Sequence, residues 1–149
     1  FIPFGICLSL FFDPQAATIG SVAFLIGGLW LSPDLDTISI PLKRWGALKI
    51  IWWPYRKLIN HRSIFSHGPI IGTLIRMIYL MTVGSLLLSL IKTFMLSNSL
   101  NLIEILHTQI NKYPQEVLSI LLGLEGSAWL HLIKDGDPLP IEWHKWMRR

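Results

Sequence analysis

Asn60-His-Arg-Ser-Ile-Phe-Ser-His-Gly-Pro69 is the stretch on which the reading of this chain turns. His61 and His67, two of only five histidines, fall in it, and neither has an apolar run around it that would make it core filler. The loop before it carries Asp34 and Asp36, and a later segment carries His131 and Asp135 four residues apart. Histidine with carboxylate is the ligand chemistry of zinc, manganese or iron. The working expectation is that these six side chains converge on one divalent-metal centre, zinc ahead of manganese or iron.

The composition around that stretch points to lipid as the solvent. The 149 residues suit one domain with a core of its own. Hydrophobic residues make up 52% and charged residues 15%, against about 25% charged in soluble domains, and the mean hydropathy is +0.51. Cys7 is the only cysteine and allows no internal disulfide. The chain opens at Phe1 with no methionine, so further residues are expected upstream.

From the N-terminus, Phe1 to Phe12 is apolar but shorter than the roughly 20 residues a spanning helix needs. It ends at Asp13-Pro14, read as a stop or turn. Pro14 to Pro33 has no charge and contains Gly20, Gly27 and Gly28, which let a neighbouring helix approach. It lacks the basic flank and cleavage pattern of a signal peptide. In Leu31-Ser-Pro-Asp-Leu-Asp36 the proline breaks the helix, and an extended turn would send Asp34 and Asp36 to opposite faces. One then ligates while the other binds a second ion or orients a histidine. A pair of aspartates that only solvates the loop is an equal alternative. Lys43 to Lys57 interleaves cations with Trp45, Trp52, Trp53 and Tyr55. A nucleic-acid groove has that look, but beside spanning helices the pattern reads as an interfacial belt facing lipid headgroups.

Gly68-Pro69 opens a long apolar helix to about Leu96, on the order of 40 Å. Ser97 to Tyr113 is more polar, with Leu102, Ile103, Leu106 and Ile110 at helical spacing, and reads as a helix on the far surface. Pro114 starts a last helix through Lys134, followed by a basic tail, Ile141 to Arg149, with Trp143 and Trp146. If the first span runs inward, the second runs outward and the third inward again. All six ligand candidates then land on one side, with ten of the thirteen Lys and Arg residues. By the positive-inside rule that side is cytoplasmic, in a multi-pass inner-membrane protein.

Each signal has a plainer counterpart. His131 and Asp135 share a helical face whether they bind metal or form a surface ion pair. His61 and His67 also suit a polar helix start capped by Ser66. His107 and His144 read as solvated. The charges inside the spans, Arg76 and Glu125, sit nine residues past His67 and six before His131. At roughly 13 and 9 Å below the site they pair as a salt bridge, or, as an equal alternative, Arg76 snorkels to the headgroups and Glu125 is protonated or turns to the site as a base.

Four motifs together resemble the bacterial metal-binding proteins related to the YdjM-like inner-membrane metal-dependent hydrolases. They are Gly-Leu-Trp-Leu-Ser-Pro-Asp-Leu-Asp ending at Asp36, Lys-Arg-Trp-Gly at Lys43 to Gly46, His-Arg-Ser-Ile-Phe-Ser-His-Gly at His61 to Gly68, and His-Leu-Ile-Lys-Asp at His131 to Asp135. The resemblance covers nearly the whole chain. It implies metal ligation by Asp34, Asp36, His61, His67, His131 and Asp135. The family pattern also has a histidine before its first apolar helix, and no histidine stands there in this sequence. The His-xxx-Asp element and the all-helical build look like zinc-dependent phospholipase C and its nuclease relatives as well. The expectation is an all-α, multi-span membrane bundle whose ligands meet at one end. Its activity would be metal-dependent hydrolysis of a phosphoester or ester of a membrane-associated substrate. Asp34, Asp36 and His67 would serve a metal-activated water, Arg62 would contact phosphate, and the partners would be membrane lipid and no nucleic acid. The rival is a non-catalytic metal-binding or lipid-organising membrane protein.

Overall fold

The computed structural model describes residues 2–61, 63–95 and 102–136. Arg62, residues 96–101, the Lys92 side chain and the tail with Trp143, His144 and Trp146 lie outside them. Among the described residues there are eight α-helices and no strand. They are α1 (Ile2–Ser9), α2 (Pro14–Trp30), α3 (Ile40–Arg44), α4 (Trp52–Leu58), α5 (Ile64–His67), α6 (Ile71–Met95), α7 (Leu102–Lys112) and α8 (Pro114–Lys134). Two 3-10 segments, Pro33–Asp36 and Gly46–Ile51, interrupt the run between α2 and α4. Three segments are long and apolar enough to cross a membrane: Pro14–Asp36, Ile71–Ile91 and Pro114–Lys134.

Asp13-Pro14 starts α2 rather than stopping α1. The Asp13 carboxylate accepts the Ala16 N–H at 2.9 Å, and Pro14 occupies the first turn, where its missing N–H costs nothing. The short α1 lies against α2, with the Phe4 ring stacked on Phe24 at 4.6 Å.

The centre of the bundle is the contact between α2 and α8, made backbone to backbone by small residues. A Cβ on Gly20 would lie 2.8 Å from the Ser119 carbonyl oxygen, and one on Gly123 would run into the Gly20 carbonyl oxygen. Towards the other end Gly27 meets Ser127. Residue numbers rise together along both helices, so α2 and α8 run parallel. Lipid supplies no hydrophobic drive between spans, and close van der Waals packing takes its place. Parallel running puts the C-terminal ends of α2 and α8 at one level, with Asp34 and Asp36 just past one and His131 and Asp135 at the other.

Residues 33–58 fold over that end. Leu35, Leu42, Trp52 and Tyr55 form a buried cluster with Tyr79 of α6 against it. Trp52 and Tyr55 were expected in the interfacial belt, but both are fully buried, with ring centroids 5.3 Å apart edge to face. The helix period explains this: α4 is two amphipathic turns in which Trp52 and Tyr55, three apart, face inward, while Trp53 faces out. Burial pushes the Tyr55 hydroxyl up to about 12, the Arg76 charge opposing the shift, so it stays neutral. The Trp45 indole N–H donates to the Trp30 carbonyl at 2.9 Å and Arg44 donates to the Leu29 carbonyl at 3.1 Å, satisfying carbonyls left open at the end of α2. Along α6, Leu74, Ile78, Leu86 and Leu90 stay exposed, as lipid-facing side chains do.

Candidate metal centre

Each element that brings a side chain to the site is set by a local rule. Pro33 opens a 3-10 turn, Pro33–Asp36, and not the extended turn expected. With three residues per turn, Asp34 and Asp36 project about 120° apart around its axis. Both therefore face the same imidazole, one on each side. His67 Nε2 lies 3.6 Å from Asp34 Oδ1, and His67 Nδ1 lies 3.5 Å from Asp36 Oδ2.

His67 ends the single-turn helix α5, whose last turn is anchored from α6. Arg76, 3% exposed, donates to the Ser66 carbonyl at 2.8 Å and to Thr73 Oγ1 at 3.1 Å. The connection to α6 passes through Ile70 at φ +63°, a left-handed conformation that a β-branched residue strongly disfavours. Its N–H is held at 2.8 Å by the Glu125 carboxylate of α8. Glu125 and Arg76 do not form the expected salt bridge. Each bonds backbone of the 66–70 turn, which lies between them, so they clamp it from two helices.

His131 completes the arrangement from α8. Its Nε2 lies 3.3 Å from Asp34 Oδ2 and 3.3 Å from Asp135 Oδ2. His61 Nδ1 bonds Asp36 Oδ1 at 3.0 Å. All six residues singled out in the sequence thus form one chain of contacts, Asp135, His131, Asp34, His67, Asp36 and His61 in order. Arg62 lies outside the described residues, and His107, exposed on α7, is not part of the group.

The donor set fits a divalent ion. Asp34, His67 and His131 each offer a ligand atom, as do Asp36, His61 and His67, and within each group these atoms lie within 4.8 Å of one another. Two ligands bound about 2.1 Å from a tetrahedral ion stand about 3.4 Å apart, close to the 3.3 and 3.6 Å separations of Asp34 from His131 and His67. The Nε2 atoms of His67 and His131 and Asp36 Oδ2 are buried without a hydrogen-bond partner. Buried polar atoms are otherwise almost always paired.

Ser66, set down from the sequence as a helix cap, selects between the two groups. Its Oγ lies 3.2 Å from the Asn60 carbonyl, 3.3 Å from the Ser63 carbonyl and 2.9 Å from His67 Nδ1. A hydroxyl has one proton to give. Spent on a carbonyl, it leaves Oγ to accept from Nδ1–H, so that His67 Nε2 is bare and turned to Asp34 and His131. A neutral imidazole serves one ion at a time. Asp36, its side chain wholly buried, then stands behind His67 and holds His61, which is 46% exposed.

Residues 2–147 match the model of a family described as uncharacterized metal-binding protein (DUF2227). A relative described as an uncharacterized protein of Aquifex aeolicus (strain VF5) is 43% identical over 60 residues, which cover 40% of this chain and 42% of that one. The matched stretch thus spans less than half of that relative's length. No solved structure matches.

Proposed function

This chain belongs to that family of uncharacterized metal-binding proteins, and from that premise we propose that it is a membrane-bound, metal-dependent hydrolase of a phosphoester or ester in a membrane-associated substrate. The observation that carries the proposal is the pair of buried Nε2 atoms of His67 and His131, neither with a hydrogen bond, turned towards the Asp34 carboxylate. Asp34, His67 and His131, with Asp135, hold the ion, zinc ahead of manganese or iron. Bound there, a divalent cation supplies Lewis acidity towards a phosphoryl or acyl oxygen and makes a water more acidic.

The chain's own groups supply the rest. Asp36 Oδ1 accepts the Nδ1–H of His61, fixing the tautomer in which Nε2 of this half-exposed ring can take a proton. Asp34 and Asp135 are partly exposed, so the ligand set opens to one side, as a catalytic site requires and a closed structural site does not. The kinship to YdjM-like hydrolases is part of this proposal and is supported by the four sequence motifs. So is the cytoplasmic facing of the site, supported by the Lys and Arg count on that side. The non-catalytic reading is supported by the family description, which names metal binding alone.

Metal analysis of the purified protein, with a screen of phosphoester and ester substrates, tests the proposal. Stoichiometric metal with turnover that chelation abolishes and the ion restores is the expected result. Metal without turnover on any substrate class leaves the non-catalytic protein. Protein that takes up no metal overturns both.

A further inference from the structure

Beside the Asp36 end of the cluster is a pocket of about 320 Å³ lined by Asp36, Thr37, Ile38, Trp53, Arg56 and Lys57. That volume is in the lower range for small-molecule sites. The Lys57 ammonium lies 5.6 Å from the Trp53 ring centroid. Among the described residues no carboxylate is within ion-pair distance of Arg56 or Lys57. Among the described residues, then, two adjacent cations without a carboxylate partner line a concavity whose wall also includes a buried carboxylate of the candidate centre. Asp36 has His61 on one oxygen and does not reach either cation.

We propose that this pocket holds the phosphate of the substrate, which narrows the substrate class to phosphoesters. The inference rests on the hydrolase reading. A guanidinium grips phosphate oxygens bidentately, and an ammonium adds a compact second charge, so the pair suits a dianion. The exposed Trp53 and Ile38 at the mouth offer apolar surface to the organic part of the ester. Since Asp36 is the one anion at the pocket wall among the described residues, metal bound at the neighbouring ligands should tighten phosphate binding by offsetting its charge.

The test is calorimetric titration of inorganic phosphate into metal-loaded protein in a phosphate-free maltoside, comparing wild type with Arg56→Gln, Lys57→Gln and the double variant. Each single change should weaken binding about tenfold, as expected for the loss of one charge-assisted contact. The double change should abolish it, with metal content and melting temperature unchanged. Wild-type phosphate affinity in the double variant overturns the proposal. Metal content is measured on the same samples. Absence of metal therefore defeats the hydrolase reading by itself, while the comparison of variants still decides the pocket. Glycerol 3-phosphate and dihexanoyl phosphatidate separate the two sources of the group. Tighter binding of the short-chain lipid assigns a membrane headgroup, tighter binding of glycerol 3-phosphate assigns a soluble phosphoester, and sensitivity of either to Arg56→Gln sustains the pocket.

Discussion

Replacing Ile70 by glycine should stabilise this protein, although it deletes a large apolar side chain. Ile70 sits at φ +63°, where an L-residue pays about 1–2 kcal/mol and a β-branched one no less. The side chain is 62% exposed, so little packing is lost with it. Glycine's greater freedom in the unfolded chain offsets about 0.5–1 kcal/mol of the relief. The net gain is about 0.5–1 kcal/mol, or about 1–4 °C in Tm for a chain of this length. Thermal unfolding in detergent, followed by tryptophan fluorescence, measures it, with Ile70→Ala as the control that keeps the strain and should show no gain. The glycine variant should also keep its metal content, because Glu125 still receives the residue 70 N–H. A loss of more than about 1 kcal/mol in both Ile70→Gly and Ile70→Ala would refute the reasoning and make the isoleucine side chain the element that holds the turn.

Other perturbations separate the remaining claims. His67→Ala and His131→Ala should each lower bound metal measured by elemental analysis, and wild-type stoichiometry in both would remove the Asp34-centred site. Trp52→Ala should destabilise by about 3–5 kcal/mol as a core deletion, whereas Trp53→Ala should change stability by less than about 0.5 kcal/mol; equal effects would return Trp52 to the lipid belt. In a double-mutant cycle, Arg76→Leu and Glu125→Leu should couple by only about 0.5–1 kcal/mol, because the two side chains hold one turn without touching each other. Coupling of 2 kcal/mol or more would mean that they pair directly after all.

The spans were legible because lipid imposes one rule on every residue: backbone must be satisfied within the segment, so long uncharged runs can only be helices. That rule, with the residues that end each run, placed α2, α6 and α8 in the sequence and sent all six ligand candidates to one end. It says nothing about segments outside the lipid. In residues 43–57 a belt and a buried cluster have the same composition, and only the three-residue spacing of Trp52 and Tyr55, read as one face of α4, could have told them apart. Arg76 and Glu125 misled for a related reason. Depth along a helix axis can be counted from sequence, but the angle around it depends on how the helices pack, and a turn passing between the two charges is invisible to counting.

Asp34 and Asp36 show how much a single turn type decides. In an extended segment, spacing two sends alternate side chains to opposite faces, and one aspartate would leave the site. Pro33 presets φ for a helical turn, and with Leu35 buried in the cluster below, the segment closes as 3-10. The same spacing then places the carboxylates about 120° apart, near enough for both to reach one imidazole and far enough to meet different nitrogens. Asp34 faces the bare Nε2 together with His131. Asp36 faces the Nδ1 side together with Ser66 and His61. The asymmetry between two chemically identical residues therefore rests on the His67 tautomer: with the Ser66 hydroxyl spent on a carbonyl, the imidazole proton stands at Nδ1. Exchanging the roles of the two aspartates would require moving that proton and not the backbone.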